Sequence, residues 1–249
     1  MSRLCDRYAS KLILIIGSGP NATEVQSWQL SKFDKIVVIN NAWRVTNQWT
    51  DLIYPHDFSS DRLPEKLATG QRLIDETHFV PAQNHYGGFV YAGGTMAYTA
   101  AYWVLREYAP TEICFIGCDM HYPKTGPTHF YGTGTPDPLR EDISLTSLEG
   151  SSARFLCLAA RQKCRVFNLS NGPTRLIFPR KSPHKSNPST PLPVIDAKMV
   201  ADCLQTEQEL GYFVADGRYW LEADKFCKQK LKKLNKNWLS AAGHVSEKK

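Results

Sequence analysis

The stretch Lys11–Asn21, KLILIIGSGPN, decides the fold. Its apolar run, Leu12 to Ile16, leads straight into Gly17-Ser18-Gly19-Pro20. A short run rich in β-branched residues and closed by glycines reads as a strand buried on both faces, the pattern of a parallel sheet. The tight turn behind it should leave backbone N–H groups available at the start of the next segment. At the carboxyl edge of an open α/β sheet, such a turn is where phosphorylated ligands bind. An ordinary strand-to-helix turn has the same appearance, so the neighbouring segments must carry the reading.

Outward from that turn, Ala22 to Leu30 suggests a short helix starting near Asn21, a good N-cap residue. Lys35 to Ile39 reads as a second buried strand ending in Asn40-Asn41. A dinucleotide-binding fold would carry Asp or Glu here for the ribose hydroxyls, and a third glycine in the first turn. The amide pair argues against NAD; Asn can serve a phosphate oxygen or a sugar hydroxyl, or can simply close a turn. Asp51 to Tyr54 suggests a third strand and His78-Phe79-Val80 a weaker fourth. Ala92-Gly93-Gly94-Thr95 then opens an apolar helix reaching about Tyr108, with Met96, Thr99, Ala100, Trp103 and Val104 spaced to face the sheet. Its N-terminus offers a second anion site.

Glu112 to Ile116 is the next strong strand, ending Gly117-Cys118-Asp119, where an acid is well placed to grip a ribose or base. The polar stretch from Met120 to Ser147 holds His121, Tyr122, His129, Phe130, Tyr131, Asp137, Arg140 and Asp142. Loops of this length inside compact domains are usually functional or disordered, and the aromatic and histidine content speaks for function. Leu148 to Gln162 reads as a helix and Arg165 to Leu169 as a last strand. Alternating strand and helix signals predict an α/β fold with a single doubly wound, mostly parallel, Rossmann-like sheet.

The 249 residues suit one such domain with a small appendage, and 42% apolar content supplies a sizeable core. Residues 1–180 form the expected α/β domain, 181–198 a proline-rich linker, and 199–249 a basic helical segment. In that segment Lys225, Lys228, Lys230, Lys232, Lys233 and Lys236 alternate with Phe226, Leu231, Leu234 and Trp238. Such a pattern suits a helix on an anionic membrane surface or one packed on the domain itself. The net charge of +6 favours anionic partners without choosing one. Nucleic acid is disfavoured, because the basic residues concentrate in the tail and no reader motif is present. Cys5, Cys114, Cys118, Cys157, Cys164, Cys203 and Cys227 include no Cys-x-x-Cys pair, which speaks against a disulfide framework or zinc ribbon. With no secretory signal or apolar span in view, the expected location is cytoplasmic, or peripheral at the inner membrane face.

Residues 11 to about 178 resemble the bacterial sialyltransferases of glycosyltransferase family 42, and more distantly the animal family 29. The resemblance is carried in order by Gly17-Ser18-Gly19-Pro20-Asn21, by Asn40 with Asn41 beside it, by Gly93-Gly94-Thr95 and by Gly117-Cys118-Asp119. The late strand and polar ending from Arg165 to Pro173 complete it. It implies transfer of a CMP-activated acid keto-sugar (sialic acid, Kdo or similar) to a glycan or lipid-linked acceptor, inverting and without metal or other cofactor. It further implies that the first turn and Asn40 hold phosphate and donor sugar, that Gly117 to Asp119 hold the cytidine, and that Tyr122 and Tyr131 bind the departing phosphate. Fixed neutral donors suit the charge that gathers on CMP, and a histidine, with a pKa of about 6.5, suits the base that deprotonates the acceptor.

This chain departs from the pattern in three places. Ser18 replaces the turn asparagine, Ala92 stands near the usual hydroxyl residue, and no histidine falls near Leu145-Thr146. His129 is the best replacement base, with His121 and Asp142 as rivals. Two other readings stay open: a pterin-type pyrophosphokinase using ATP and magnesium, recruiting Asp119 with His121 or Asp142, and an inactive nucleotide- or glycan-binding module. Either would tolerate homo-oligomers.

Overall fold

A computed structural model describes residues 11–122, 125–133, 141–184 and 191–244. Cys5, Asp137, Arg140 and the middle of the proline-rich stretch, 185–190, lie outside the described residues.

The strands are β1 Leu12–Ile16, β2 Lys35–Ile39, β3 Asp51–Ile53, β4 Arg72–Ile74, β5 Glu112–Ile116 and β6 Arg165–Asn168. They form one six-stranded sheet in the order β4-β3-β2-β1-β5-β6, and every pairing is parallel. β1 sits in the middle because its residues must be covered on both faces. Ile13 and Ile15 enter one core layer and Leu14 and Ile16 the other, all without exposed surface. From β1 the chain steps outward through β2, β3 and β4, then returns to the opposite flank with β5 and β6. The strand order thus reverses at β1, where a crevice must open at the carboxyl edge.

One face is covered by α1 Glu76–His85, α2 Phe89–Ala92, α3 Met96–Tyr108, α4 Leu148–Arg161, α5 Ala197–Leu210 and α6 Lys228–Ala241. The other carries 3₁₀ turns at Pro20–Ser27, Leu30–Lys32 and Asn40–Arg44, closed over by Trp28, Trp49 and Phe33. The expected helix from Ala22 to Leu30 is therefore a 3₁₀ segment. Gly19, not Asn21, stands at its N-cap, since the Asn21 amide is drawn away to Asp119 and Ser170.

The expected strand at His78–Val80 is the interior of α1, which starts at an Asp75 cap accepting the Thr77 N–H at 3.1 Å. The edge strand β4 lies just before it. Three residues are too few to show a period, and β4 is held instead by register and by Arg72 Nε donating to Asp51 at 2.8 Å. α3 is buried around most of its girth from Ala97 to Leu105, because α1 and α4 flank it while it lies on the sheet.

α5 and α6 belong to the same core as the helices of the sheet. Val200, Cys203, Leu231, Leu234 and Trp238 are buried with Phe155 and Tyr102. The apolar face of the basic tail is thus packed inward, leaving Lys228, Lys230, Lys232, Lys233 and Lys236 exposed. Among the described residues no helix is long and apolar enough to cross a membrane.

Candidate nucleotide-type cleft

The turns after β1, β2 and β5 meet around a cleft of about 880 Å³ at the reversal point. Its walls are built by tight packing of two turns. Gly17 N–H donates to Ile116 C=O and Gly19 N–H to Gly117 C=O, each at 2.8 Å. A Cβ on Gly17 would overlap the Gly117 carbonyl, and one on Gly117, whose φ is +70°, would lie 2.7 Å from the Gly17 carbonyl. These glycines let two strand ends touch, so Gly17 and Gly19 do not offer their amides to a ligand. That corrects the expectation that the first turn grips phosphate through its glycine N–H groups.

The second helix-opening turn divides differently. Gly93 and Gly94 do not line the cleft; Gly94 takes φ +100° because a Cβ there would lie 2.8 Å from the Ser144 carbonyl. Thr95 does line it and caps α3, accepting the Tyr98 N–H at 3.4 Å. Met96 and Ala97, the first helical residues, also face the cleft. Their N–H groups lie in the first turn, where no intrahelical acceptor exists and the helix dipole is positive.

Asn40 and Asn41 line the same cleft. Asn40 follows β2 directly with φ +54°, a left-handed backbone that Asn tolerates better than most residues. Asn41 is 6% exposed. The side-chain carbonyl oxygens of both are buried without a hydrogen-bond partner. Buried polar atoms are nearly always paired, so two adjacent orphans in a cleft wall are candidate acceptors for ligand donors, whereas the orphaned Gln83 and Asn84 oxygens lie away from this cleft. Ser18 is turned elsewhere, its hydroxyl donating to Ile39 C=O at 3.2 Å.

Asp119 lines the cleft but is already held. Asn21 Nδ2 donates to one carboxylate oxygen at 2.8 Å and Asn168 Nδ2 to the other at 3.0 Å. Each oxygen keeps a lone pair, so the carboxylate can still accept from a ligand hydroxyl in a fixed orientation. Cys118 is buried beside it, and burial pushes its thiol above the ordinary range, which favours the neutral thiol.

His129 sits over the first turn because Phe130 N–H donates to Ser18 C=O at 3.0 Å. Its ring stacks on Tyr131 at 4.9 Å, and Nδ1 lies 2.9 Å from Thr128 Oγ1. Burial holds its pKa below 6.5, favouring the neutral ring. His121, Tyr122 and Tyr131 line the same cleft. Asp142 does not: it caps the turn Ile143–Leu145 through Ser144 N–H at 2.8 Å and accepts the Tyr219 hydroxyl at 2.9 Å. It serves as a structural cap, removed from the candidate bases. Asp119 and His121 share the cleft while Asp142 lies outside it, and among the described residues no group of three such side chains is placed to hold a metal.

Arg44 and Arg62 line the rim, and neither was expected from the sequence. Arg44 ends the 3₁₀ turn begun at Asn40, so the segment leaving β2 at the ligand edge carries it there. Asn168 was missed as well, although it ends β6 at the same edge of the sheet.

In comparisons with known proteins, no family model, no curated protein and no solved structure matches this chain. The structure shows a Rossmann-like α/β sheet, and the expected resemblance to the sialyltransferases stands on the sequence motifs alone.

Proposed function

We propose that the chain is a glycosyltransferase that moves an acid keto-sugar from CMP to a glycan or lipid-linked acceptor with inversion. The orphaned Asn40 and Asn41 carbonyls, in the cleft that the amino end of α3 also lines, carry this reading. A CMP-sugar offers what such walls lack: hydroxyl and amine donors for the asparagines, and a phosphate and a carboxylate for the Met96–Ala97 amides and for Arg44 and Arg62.

In the step itself the acceptor oxygen bonds to the anomeric carbon as the bond from that carbon to the phosphate oxygen breaks. The electron pair leaves with CMP. The acceptor proton passes to His129 Nε2, which requires the tautomer whose Nδ1–H donates to Thr128 Oγ1. The Arg44 and Arg62 guanidiniums, which share the cleft with Asp57 and Asp61, and the α3 terminus offset the charge gathering on the phosphate. The reaction the resemblance implies needs no metal.

A second reading, binding without transfer, is favoured by the commitment of Gly17, Gly19 and Asp119 to protein contacts. Titration with CMP and incubation with a CMP-sugar separate the two. Binding with turnover supports transfer, binding without hydrolysis or transfer supports the module, and absence of CMP affinity overturns both. Peripheral attachment to an anionic membrane would rest on the exposed lysines of α6 alone, since its apolar side is buried.

A further inference from the structure

On the far side of the Asn40–Arg44 turn lies a second cleft, of about 710 Å³. Its lining includes Trp43, Arg44, Asn47, Gln48 and Lys66, and no carboxylate among the described residues. Arg44 belongs to both clefts. Its guanidinium lies 5.3 Å from the Trp43 ring centre, and Trp43 Nε1 donates at 2.9 Å to the carbonyl of Arg62, a residue of the first cleft's rim. The ridge between the clefts is therefore a single braced unit.

The floor is preset. Gln71 Nε2 donates to Asn47 C=O at 3.1 Å and to Trp49 C=O at 3.3 Å, and Gln26 Nε2 donates to Val45 C=O at 3.1 Å. The exposed groups that remain are Arg44, Asn47, Gln48 and Lys66, beside a half-buried indole. An aromatic surface, side-chain amides and cations without any acid match one ligand chemistry closely. The apolar ring face of a sugar lies on an indole, its hydroxyls pair with amides, and a carboxylate pairs with cations.

We infer that this second cleft binds an acidic oligosaccharide, and that Arg44 links its occupancy to that of the first cleft. Reading that saccharide as the acceptor rests on the transferase proposal; the binding itself does not.

The test uses the full chain, with tri-galacturonate and its carboxyl-reduced counterpart as probes, followed by tryptophan fluorescence and saturation-transfer NMR. CMP affinity is measured in parallel. The acidic probe should bind at least about tenfold more tightly than the reduced one, the effect expected for a charge-assisted contact. Lys66→Glu should erase that preference and leave CMP affinity unchanged, while Arg44→Ala should weaken both ligands. Equal binding of the two probes, no binding of either, or an unaltered preference in Lys66→Glu overturns the inference. So does a single-stranded oligonucleotide that displaces the saccharide and binds more tightly. Loss of CMP affinity alone would strike the transferase reading and leave this one standing.

Discussion

Two polar clusters in this molecule are built on opposite principles. Arg154 and Glu207, 2% and 5% exposed, lie where α4 meets α5. Arg154 reaches both Glu207 oxygens at 2.7 and 2.8 Å, the Tyr102 hydroxyl at 2.7 Å and the Tyr86 carbonyl at 2.5 Å. Glu207 also accepts the Trp238 indole N–H from α6 at 2.9 Å. Burial alone would lower the Arg154 pKa, but the charge of Glu207 and the Tyr102 oxygen raise it overall. At the ligand edge, by contrast, Asn40 and Asn41 keep buried acceptors with no partner. A buried pair fully satisfied within the protein staples elements together, whereas polar atoms left unpaired at a cleft wall favour something from outside.

The sharpest ways to break this comparison begin at the base. His129→Ala should cut transfer by roughly 10²–10⁴-fold, the usual loss for a general base, without unfolding the chain; steady-state assays with a CMP-sugar decide it, and an unaltered rate removes His129 from the chemistry. Next, Glu207→Ala leaves the Arg154 charge buried and uncompensated, so unfolding in urea should show a loss of about 3–5 kcal/mol. A loss near zero would mean that the cluster is not a staple.

Asn41→Leu should act in the other sense. It removes an unsatisfied acceptor and should stabilise the ligand-free protein by on the order of 1 kcal/mol while weakening CMP. Thermal melts with and without CMP read both effects, and a destabilised variant with intact affinity would return Asn41 to a structural role.

The pH dependence follows from the direction of the His129 shift. Burial lowers its pKa, so the neutral base persists to below pH 6.5 and the acid limb of kcat/KM should lie under that value. For stability the sign is the same. The unfolded state takes up the proton first, so the contribution is complete above 6.5 and is lost as pH falls through the lower folded value.

The last test concerns the exposed lysines of α6. Lys232→Glu with Lys233→Glu should reduce co-sedimentation with phosphatidylserine vesicles at low salt, by about 1 kcal/mol per lysine, and leave the fold untouched. Unchanged sedimentation would make the lysine face ordinary solvated surface.

Burial on both faces is written into residues 12–16, 36–39 and 113–116 as continuous apolar runs, so the parallel sheet and its carboxyl edge were legible at once. The cleft residues Asn40, Asn41, Asp119 and His129 were legible for the same reason, because strand ends and the loop after β5 converge there. The short edge strand β4, the 3₁₀ crossover and the role of Asp142 were not. Each depends on a partner distant in sequence: Asp51 for Arg72, Asp119 for Asn21, Tyr219 for Asp142.

The amino-acid sequence by itself determined the layer architecture and the strand ends at which a crevice opens, since local apolar period and glycine turns report burial directly. Only the tertiary structure decided which groups at that edge are available. Hydrogen bonds between residues far apart in the chain consumed the Gly17 and Gly19 amides, left the Asn40 and Asn41 carbonyls unpaired, and placed Arg44 between two clefts.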